Sequence, residues 1–351
     1  MKILVIQQKM IGDVLTSSIL FEVLRKKYPE ATLDYLINSH TAPVVENNPF
    51  INNLILFSKQ SEANKRVLFE FAKQTAKNNY DIVIDVYSKI SSNIITYYSK
   101  SDKKISYAKW YTNWIYTNNI IRYKESEGLK NLAIKNRLLL LKPLGINEEL
   151  AIPKIHLTTQ EIKNSKALLE QHNLDFNQPI YMIGVLGSGH NKTYPFEYMA
   201  RLLDTIVEQT KGQLLFNYIP NQIDDVKQIY SLCNEETKKH IFIDLFGKSL
   251  REFLALTHHC TALIGNEGGA INMAKALNIP TFTIFSPWID KDTWNLFENR
   301  QNVSIHLKDI KPELYKNKSA KSYKKEALAL YKTFKPTYIT PNLKQFLTTF
   351  K

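Results

Sequence analysis

The chain has 351 residues, and its 44% hydrophobic and 23% charged residues are typical of a globular protein with enough apolar material for two domains. The formal net charge of +13 predicts attraction to a polyanion, such as nucleic acid, an anionic membrane surface or a phosphorylated substrate. The two cysteines, Cys233 and Cys260, exclude a disulfide framework, show no metal-ligand spacing and favour a reducing compartment. No stretch of about 18 apolar residues occurs, so we expect no transmembrane helix and a cytoplasmic protein.

Strand and helix patterns alternate through the first half of the chain. Short apolar and β-branched runs predict strands, and apolar residues at helical spacing predict helices. The predicted strands are residues 2–7, 32–37, 53–57 and 81–86, and the predicted helices are residues 14–28 and 62–79. This repetition favours a parallel sheet with helices on both faces.

The alternation restarts after a break near residues 155–179. The predicted strands are then residues 180–186, 213–218, 241–244, 262–264 and 281–285, and the predicted helices are residues 160–172, 196–210, 224–233, 250–257 and 270–277. We therefore divide the chain into domains of residues 1–165 and 166–325, followed by a helical segment, residues 326–351, that we expect to pack back on the first domain. The expected fold class is α/β, with two Rossmann-like doubly wound domains facing across a cleft.

A Gly-Asp pair lies where the first predicted strand gives way to the first predicted helix. Gly12 permits a tight turn, and Asp13 then lies at the helix N-terminus. Asp is a favoured N-cap residue, and this structural role alone would explain its presence. The alternative is a general base that accepts a proton from an attacking hydroxyl group.

Two glycine-rich loops follow predicted strands of the second domain. Residues 187–192 (GSGHNK) end in a lysine and could bind phosphate, although they match neither the Walker A nor the GxGxxG pattern. Residues 265–272 (GNEGGAIN) open a helix whose N–H groups suit a diphosphate, and Glu267 could accept a hydrogen bond from a sugar hydroxyl. Each stretch could instead be a surface loop or a tight turn without a ligand.

A basic and aromatic stretch lies in the first domain. Residues 100–142 contain ten Lys or Arg and only three Asp or Glu, and eight Tyr or Trp lie between residues 97 and 123. Residues 311–335 are also basic. The simplest interpretation is a solvated surface, and the alternative is a binding surface for an anionic partner.

Four stretches resemble glycosyltransferase family 9, the lipopolysaccharide heptosyltransferases. They occur in the family's order within about residues 1–290, and they are KILVIQQKMIGDVLTSSIL, VVENNPFINNLILF, GSGHNKTYPFEYMARL and DLFGKSLREFLALTHHCTALIGNEGGAINMAKALNIPTFTIFSP. The resemblance implies an inverting, metal-independent enzyme with the GT-B fold. Its first domain would bind the acceptor and its second a nucleotide sugar, which in this family is ADP-heptose.

The resemblance also implies roles for particular residues. Asp13 matches the family's general base, and Lys192 matches the lysine that binds donor phosphate. Gly187 and Ser188 match the preceding positions that touch the diphosphate. Lys248 falls where the family makes a backbone contact to adenine.

The remaining donor-site positions depart from the family pattern. Glu267, Gly268 and Gly269 fall on an Asp-(Ser/Thr)-Gly that binds sugar and phosphate, and Asn272 replaces a histidine. Tyr194 stands in place of a tryptophan. The resemblance thus favours a nucleotide-diphosphate sugar and leaves the identity of the sugar open.

The resulting hypothesis is transfer of a heptose or a related sugar from an ADP-sugar to an anionic glycolipid of the lipopolysaccharide core or lipid A type. We expect a monomer, without cofactor or metal, in peripheral contact with the cytoplasmic surface of the inner membrane. The acceptor-binding candidates, taken from charge and position, are Gly12, Lys103, Lys104, Lys109 and Arg122.

Three alternatives remain at this stage. An epimerase of GT-B type, or a transferase with another donor, would use the same loops; an epimerase needs further acid–base groups, for which His190, His258 and His259 are the visible candidates. A basic nucleic-acid-binding protein would leave both glycine-rich loops unexplained. Asp13 and Lys192 argue against a homologue without catalytic activity.

Overall fold

A computed structural model of the protein describes residues 1–123, 131–148, 150–316 and 320–350. The chain forms two compact units, Met1–His156 and Leu157–Lys351. Part of the basic stretch, residues 124–130, lies outside the described residues. None of the described helices combines the length and the apolar content needed to cross a bilayer.

The first unit is a doubly wound α/β sheet. Its elements are β1 Lys2–Ile6, α1 Ile11–Ser17, α2 Ile19–Lys27, β2 Thr32–Asn38, β3 Asn53–Phe57, α3 Lys59–Ala63, α4 Lys65–Ala76, β4 Ile82–Asp85, α5 Ile90–Tyr98, β5 Lys103–Tyr107, β6 Asn118–Ile120 and α6 Leu132–Leu139. The strands are parallel, in the order β3-β2-β1-β4-β5-β6. The central strand β1 is buried on both faces along residues 3–6, which explains its continuous apolar run.

The second unit repeats this architecture. Its elements are α7 Thr159–Gln171, β7 Ile180–Gly184, α8 Phe196–Thr210, β8 Gln213–Phe216, α9 Ile223–Leu232, α10 Glu235–Lys238, β9 Ile241–Phe242, α11 Leu250–His258, β10 Ala262–Asn266, α12 Gly269–Ala276, β11 Thr281–Ile284, α13 Lys291–Trp294, β12 Asn302–Ile305, α14 Leu307–Ile310, α15 Ala320–Lys325, α16 Ala327–Thr333 and α17 Pro336–Thr349. The strands are again parallel, in the order β12-β11-β10-β7-β8-β9. Counted from its own first strand, each sheet has the order 3-2-1-4-5-6 of a Rossmann fold, which confirms the expected α/β class.

The predicted helix at residues 14–28 is divided into α1 and α2 at Ser18. The Ser18 hydroxyl donates a hydrogen bond to the Leu15 carbonyl at 2.7 Å, and such back-bonding competes with the regular helical pattern. As a result, α1 is a short helix of seven residues at the carboxyl end of β1.

The C-terminal segment belongs to the second unit. Side chains of α16 and α17, among them Leu330, Tyr331, Leu343 and Phe346, are buried in the same core as side chains of α8. The prediction that this segment packs back on the first domain is therefore wrong, because its apolar face completes the core of the unit that precedes it in the chain.

The division between the units follows His156 rather than residue 165. The reason is that α7 packs against α11 of the second unit. Arg251 forms two hydrogen bonds of 2.6 Å with the Glu161 carboxylate, through its Nε and Nη2 atoms. Ser165 lies 3.0 Å from the Nε2 atom of His259 on the same side of α7.

Candidate active site

Asp13 lies in the first turn of α1, just beyond the carboxyl end of the central strand β1. The N-cap residue of α1 is Met10, and the helix has no side-chain cap. The Oδ1 atom of Asp13 instead accepts a hydrogen bond from Arg137 Nη2 at 2.7 Å. The capping interpretation of Asp13 is therefore wrong. Its Oδ2 atom forms no hydrogen bond among the described residues, so one carboxylate oxygen remains available for a substrate.

Arg137 fixes the position of this carboxylate. Besides the bond to Asp13, its Nε donates to the Ser17 hydroxyl at 2.8 Å and its Nη1 donates to the Ala133 carbonyl at 2.9 Å. The Arg137 side chain is only 10% exposed, whereas the Asp13 side chain is 36% exposed. The guanidinium is thus a buried support, and the carboxylate is the part that solvent reaches. Sequence reasoning counted Arg137 only as one charge of the basic stretch.

Gly12 does not form the turn that its sequence position suggested. It is the second residue of α1, and the positive φ of 63° belongs to Met10. A Cβ atom added at Gly12 would meet no heavy atom within 4 Å. What Gly12 provides is open space beside Asp13, which would allow a ligand to approach the backbone closely.

Two of the predicted acceptor-binding residues lie at the same edge of the sheet as Asp13. Lys109 follows the carboxyl end of β5, and Arg122 follows that of β6. The Arg122 guanidinium lies over the Tyr107 ring, 3.6 Å from its centroid. Burial raises the pKa of Tyr107, and Arg137, Arg122 and Asp13 all act on this hydroxyl electrostatically. The structure therefore brings Arg122 into the surroundings of Asp13.

Lys109 is held at this edge by the turn that follows β4. Its ammonium donates a hydrogen bond to the Ser88 carbonyl. Partial burial lowers the pKa of Lys109, and the nearby cations Lys89 and Arg122 lower it further. Three cations thus gather at one edge of the first sheet, an arrangement that favours an anionic ligand.

A buried carboxylate, which sequence reasoning missed, shapes that turn. Asp85 ends β4 with no exposed surface and accepts hydrogen bonds from the Ser88 N–H at 2.7 Å and the Tyr116 hydroxyl at 2.6 Å. Burial raises the pKa of Asp85. Because it is enclosed, we assign it the structural task of holding Ser88, and through Ser88 the ammonium of Lys109.

Lys103 and Lys104 lie at the opposite edge of the same sheet. They begin the five-residue strand β5, whereas Lys109 follows its end. At about 3.3 Å per residue, their Cα atoms lie about 10 to 13 Å from the carboxyl end of β5, the end at which Asp13 lies. Lys103 donates a hydrogen bond to the Pro143 carbonyl at 3.3 Å. The structure does not bring these two lysines together with the other acceptor candidates.

In the second unit, the loop that follows β7 closes tightly on itself. A Cβ atom added at Gly187 would lie 2.1 Å from the Lys192 carbonyl oxygen, so only glycine fits this position. The Gly187 N–H donates to the Thr193 hydroxyl at 3.0 Å, and that hydroxyl donates to the Gly189 carbonyl at 3.0 Å. Ser188 lies exposed on the outer side of the loop. This closure presents Lys192 at the carboxyl edge of the sheet.

The two glycine-rich loops meet through Lys192 and Glu267. Lys192 Nζ lies 3.1 Å from Glu267 Oε1, which is the distance of an ion pair. The same oxygen is buried without a well-aligned hydrogen-bond donor among the described residues. We therefore treat the contact as charge pairing rather than as a directed hydrogen bond. The ammonium also lies 5.5 Å from the centroid of the Trp288 ring.

Asn266 and Ser286, two residues without a predicted role, hold the loops in place. The buried Asn266 amide donates to the Gly184 and Val185 carbonyls at 2.9 and 3.0 Å, and its oxygen accepts from the Tyr194 N–H at 2.7 Å. The Ser286 hydroxyl donates to the carbonyl of residue 191 at 2.7 Å. No sequence motif marks these contacts, because each joins loops that are far apart in the chain.

Helix α12 begins at Gly269, and Gly268 is its N-cap with a φ of 157°. This φ belongs to the region that L side chains rarely adopt, which explains a glycine where the family pattern has Ser or Thr. Asn272 lies in the next turn of the helix and is partly exposed. The first N–H groups of α12 therefore begin beside Glu267 and can bind an anion.

Comparison with known proteins identifies the family of this chain. The model of glycosyltransferase family 9 (heptosyltransferase) matches residues 68–324. The chain belongs to glycosyltransferase family 9. Lipopolysaccharide heptosyltransferase 1 of Campylobacter coli is 25% identical over 299 residues, which cover 81% of this chain and 84% of the relative.

Solved structures show the same fold. A family 9 glycosyltransferase from Veillonella parvula has a TM-score of 0.80 at 18% identity, and the match covers 99% of this chain and 97% of that one. An ADP-heptose lipopolysaccharide heptosyltransferase II from E. coli has a TM-score of 0.73 at 16% identity, with 99% of each chain covered. The predicted family, the GT-B fold and the enzyme class are thereby confirmed.

The remaining candidate residues of this glycosyltransferase are Lys248, His259 and His190. The Lys248 N–H donates to the Glu252 carboxylate at 2.7 Å, so a backbone contact to adenine would have to use the Lys248 carbonyl. His259 bonds to α7, and partial burial lowers its pKa, so we assign it a structural role in helix packing. His190 lies exposed on the glycine-rich loop.

The two cysteines of this glycosyltransferase are buried and form no disulfide. Burial raises the pKa of the Cys233 thiol to about 12, and it also raises the pKa of Cys260, so neither is a ready nucleophile. Within the part of the chain that the structure describes, no group of three or more His, Cys, Asp or Glu side chains could hold a metal ion.

Proposed function

We propose that this enzyme transfers a heptose, or a closely related sugar, from an ADP-sugar to a glycolipid of the lipopolysaccharide core or lipid A type, with inversion at the anomeric carbon. The observation that carries the proposal is the Asp13 carboxylate, held by Arg137 at the carboxyl end of β1 with Oδ2 open to a substrate. Similar proteins are lipopolysaccharide heptosyltransferases, and this similarity supports the sugar and the acceptor class.

The proposed reaction is a single displacement. Asp13 Oδ2 accepts the proton of an acceptor hydroxyl while the hydroxyl oxygen forms a bond to the anomeric carbon. On the opposite face of that carbon, the bond to the diphosphate oxygen breaks and ADP leaves with the bonding electron pair. Because attack and departure occur on opposite faces, the configuration of the anomeric carbon inverts.

Lys192 and the first turn of α12 are the groups that we propose for the leaving diphosphate. In the structure, Lys192 is paired with Glu267. A diphosphate carries more negative charge than one carboxylate, so it would draw the ammonium to itself and release Glu267 for a sugar hydroxyl. Fixed donors of this kind stabilise the charge that develops on the leaving group, and we propose that they do so without a metal or a cofactor.

The acceptor is an anionic glycolipid in this proposal, bound beside Asp13 by Lys109 and Arg122. Both cations lie at the Asp13 edge of the first sheet, where phosphate or carboxylate groups of a lipid-linked sugar would meet them. We propose that a monomer works at the cytoplasmic surface of the inner membrane, where such an acceptor is exposed to a soluble nucleotide sugar.

The test of this function uses the purified full chain with ADP-heptose and a lipid A-type acceptor, and measures ADP release and the glycolipid product. A parallel thermal-shift panel of ADP, UDP, GDP and their sugars identifies the nucleotide, because a ligand raises the apparent stability by mass action. Formation of a new sugar product from ADP-heptose without any acceptor would favour the epimerase alternative.

Asp13→Asn is the decisive variant for the base. It should lower kcat by about 10²–10⁴-fold, since a general base of this kind contributes that much. ADP binding, measured by calorimetry, should stay close to that of the unmodified enzyme, because we place the nucleotide on the second unit. Turnover by Asp13→Asn at the unmodified rate would remove Asp13 from the mechanism.

A further inference from the structure

Helix α5 presents an apolar stripe to the outside of the first unit. Ile90, Ile94 and Tyr97 recur at a spacing of four and then three residues, which places them on one face of the helix. Ile90 is 77% exposed and Tyr97 is exposed as well, whereas Ile94 between them is half-buried and packs against the hydrophobic core of the first unit. The outer face of a surface helix is ordinarily polar, so this stripe is unusual for a face that meets only water.

The connection between β5 and β6 extends the stripe with exposed aromatic rings. Trp110 is 88% exposed and Trp114 is 73% exposed, with Tyr111 also exposed between them. The rings of Tyr97 and Trp114 lie 5.6 Å apart, and those of Trp110 and Tyr111 lie 5.5 Å apart. Together with the exposed residues of α5, these rings make up the surface that we call the aromatic face: Ile90, Tyr97, Trp110, Tyr111 and Trp114.

Cations border the aromatic face. Lys89 directly precedes Ile90, and Lys109 directly precedes Trp110. Arg122 interacts electrostatically with Lys109, so it belongs to the same border. Within the described ranges of the chain, none of these three cations forms a salt bridge with a carboxylate. The surface thus combines exposed rings with three cations, of which Lys109 also interacts electrostatically with the buried Asp85 carboxylate.

We propose that the aromatic face docks onto the anionic surface of a lipid bilayer, an inference that rests on the proposed function for the lipid-linked nature of the acceptor. Trp and Tyr side chains prefer the boundary between headgroups and hydrocarbon, since they are apolar in body and polar at one end. Lys and Arg add attraction to anionic headgroups.

Charge argues against a second copy of this chain as the occupant of the aromatic face. A symmetric interface would set the same patch against itself, so that Lys89, Lys109 and Arg122 would face their own counterparts. An anionic bilayer instead supplies the opposite charge. The position of Lys109 and Arg122 adds a functional reason: they lie at the sheet edge of Asp13, so docking would bring a membrane-held acceptor towards the proposed base.

The experiment is cosedimentation of the full chain with vesicles of phosphatidylglycerol and phosphatidylethanolamine, compared with vesicles of phosphatidylcholine alone. We expect binding to the anionic vesicles that weakens in 0.5 M salt, a concentration chosen to bring the Debye length to about 4 Å. The double variant Trp110→Ser/Trp114→Ser should bind the anionic vesicles at least about tenfold more weakly, because two large side chains leave the interface.

Trp294→Ser is the matched control, because Trp294 is 54% exposed but belongs to the second unit. It should bind vesicles as the unmodified chain does. Equal vesicle binding by the double variant and the unmodified chain would overturn the proposal. So would a concentration-dependent dimer in analytical ultracentrifugation that the double variant abolishes, because the occupant would then be a second copy.

Activity measurements separate this proposal from the proposed function. With a delipidated, water-soluble acceptor, the double variant should keep the kcat of the unmodified enzyme, whereas with acceptor embedded in vesicles its rate should fall about tenfold. If neither acceptor is glycosylated by the unmodified chain but vesicle binding follows the pattern above, the proposed function fails and the docking surface stands. If transfer occurs without any vesicle binding, the docking surface fails and the function stands.

Discussion

Replacement of Arg137 by Met tests whether a buried guanidinium positions the carboxylate of Asp13, the proposed general base. The change removes hydrogen bonds to Asp13, Ser17 and Ala133, and it keeps an unbranched apolar side chain in the same space. Because the guanidinium is 10% exposed and the Asp13 carboxylate is 36% exposed, the pair is partly screened by solvent. We expect a loss of about 2–3 kcal/mol in the free energy of unfolding.

The expected effect on catalysis is larger than the effect on binding. Asp13 would keep its carboxylate but lose its fixed orientation, and misplacement by about 1 Å costs on the order of 10²-fold in rate. Steady-state assays of ADP release should therefore show a kcat about 10²-fold lower for Arg137→Met, with a nearly unchanged KM for the ADP-sugar. Arg137→Lys restores the charge but not the forked geometry of the guanidinium, so its kcat should lie between those of Arg137→Met and the unmodified enzyme.

A matched control separates positioning from general destabilisation. Arg251→Met breaks a comparably buried ion pair, with Glu161, in the second unit. It should lower the free energy of unfolding by a similar amount and leave kcat near that of the unmodified enzyme. The positioning role of Arg137 is refuted if Arg137→Met and Arg251→Met lose stability equally and both retain full turnover below their melting temperatures.

Three further predictions concern the second unit. Lys192→Ala should weaken ADP-sugar binding by roughly 10–100-fold through loss of a charge-assisted contact, and an unchanged Kd by calorimetry would remove Lys192 from the donor site. Gly268→Ser should cost about 1–3 kcal/mol in urea unfolding, because its φ of 157° is strained for an L side chain; an unchanged midpoint would contradict this. Hydrogen bonding to Arg251 lowers the pKa of Glu161 from 4.5 to about 2, so the stabilisation is present above pH 4.5 and is lost as the pH falls towards 2. The stability difference between the unmodified chain and Arg251→Met should therefore shrink over that range, and a difference that does not vary with pH would contradict the assignment.

The central strands could be predicted from the sequence because they are buried on both faces. In β1 and β7 the apolar run is continuous and short, as is typical of a strand that is buried on both faces. The outer strands β5 and β6 were missed, since KKISY and NNI are too polar and too short to show a strand pattern. β5 pairs with β4 and β6 pairs with β5, and such pairing is tertiary information that the local sequence does not contain.

The residues that support the candidate active site were less predictable than the groups proposed to act in the reaction. Asp13 and Lys192 could be named because each follows a strand in a short motif. Arg137 is separated from Asp13 by 124 residues, and their contact exists only because α6 packs against α1. The sequence also did not show which unit the C-terminal segment packs against, because an amphipathic helix pattern identifies a buried face but not the core that buries it.

Glu267 and Gly268, the two residues of the proposed donor loop that differ from the family's Asp-(Ser/Thr), form one structural arrangement. Glu267 Oε1 lies 3.1 Å from Lys192 Nζ, and an aspartate on the same backbone, shorter by one carbon–carbon bond of about 1.5 Å, would make this contact only if the lysine side chain moved towards it. The next residue, Gly268, adopts a φ that a serine or threonine would reach only with strain. The longer acid therefore comes together with a backbone that excludes the usual hydroxyl. In such a loop the diphosphate would be bound by Lys192 and main-chain N–H groups of α12, and Glu267 would change partner from Lys192 to the sugar when the donor binds.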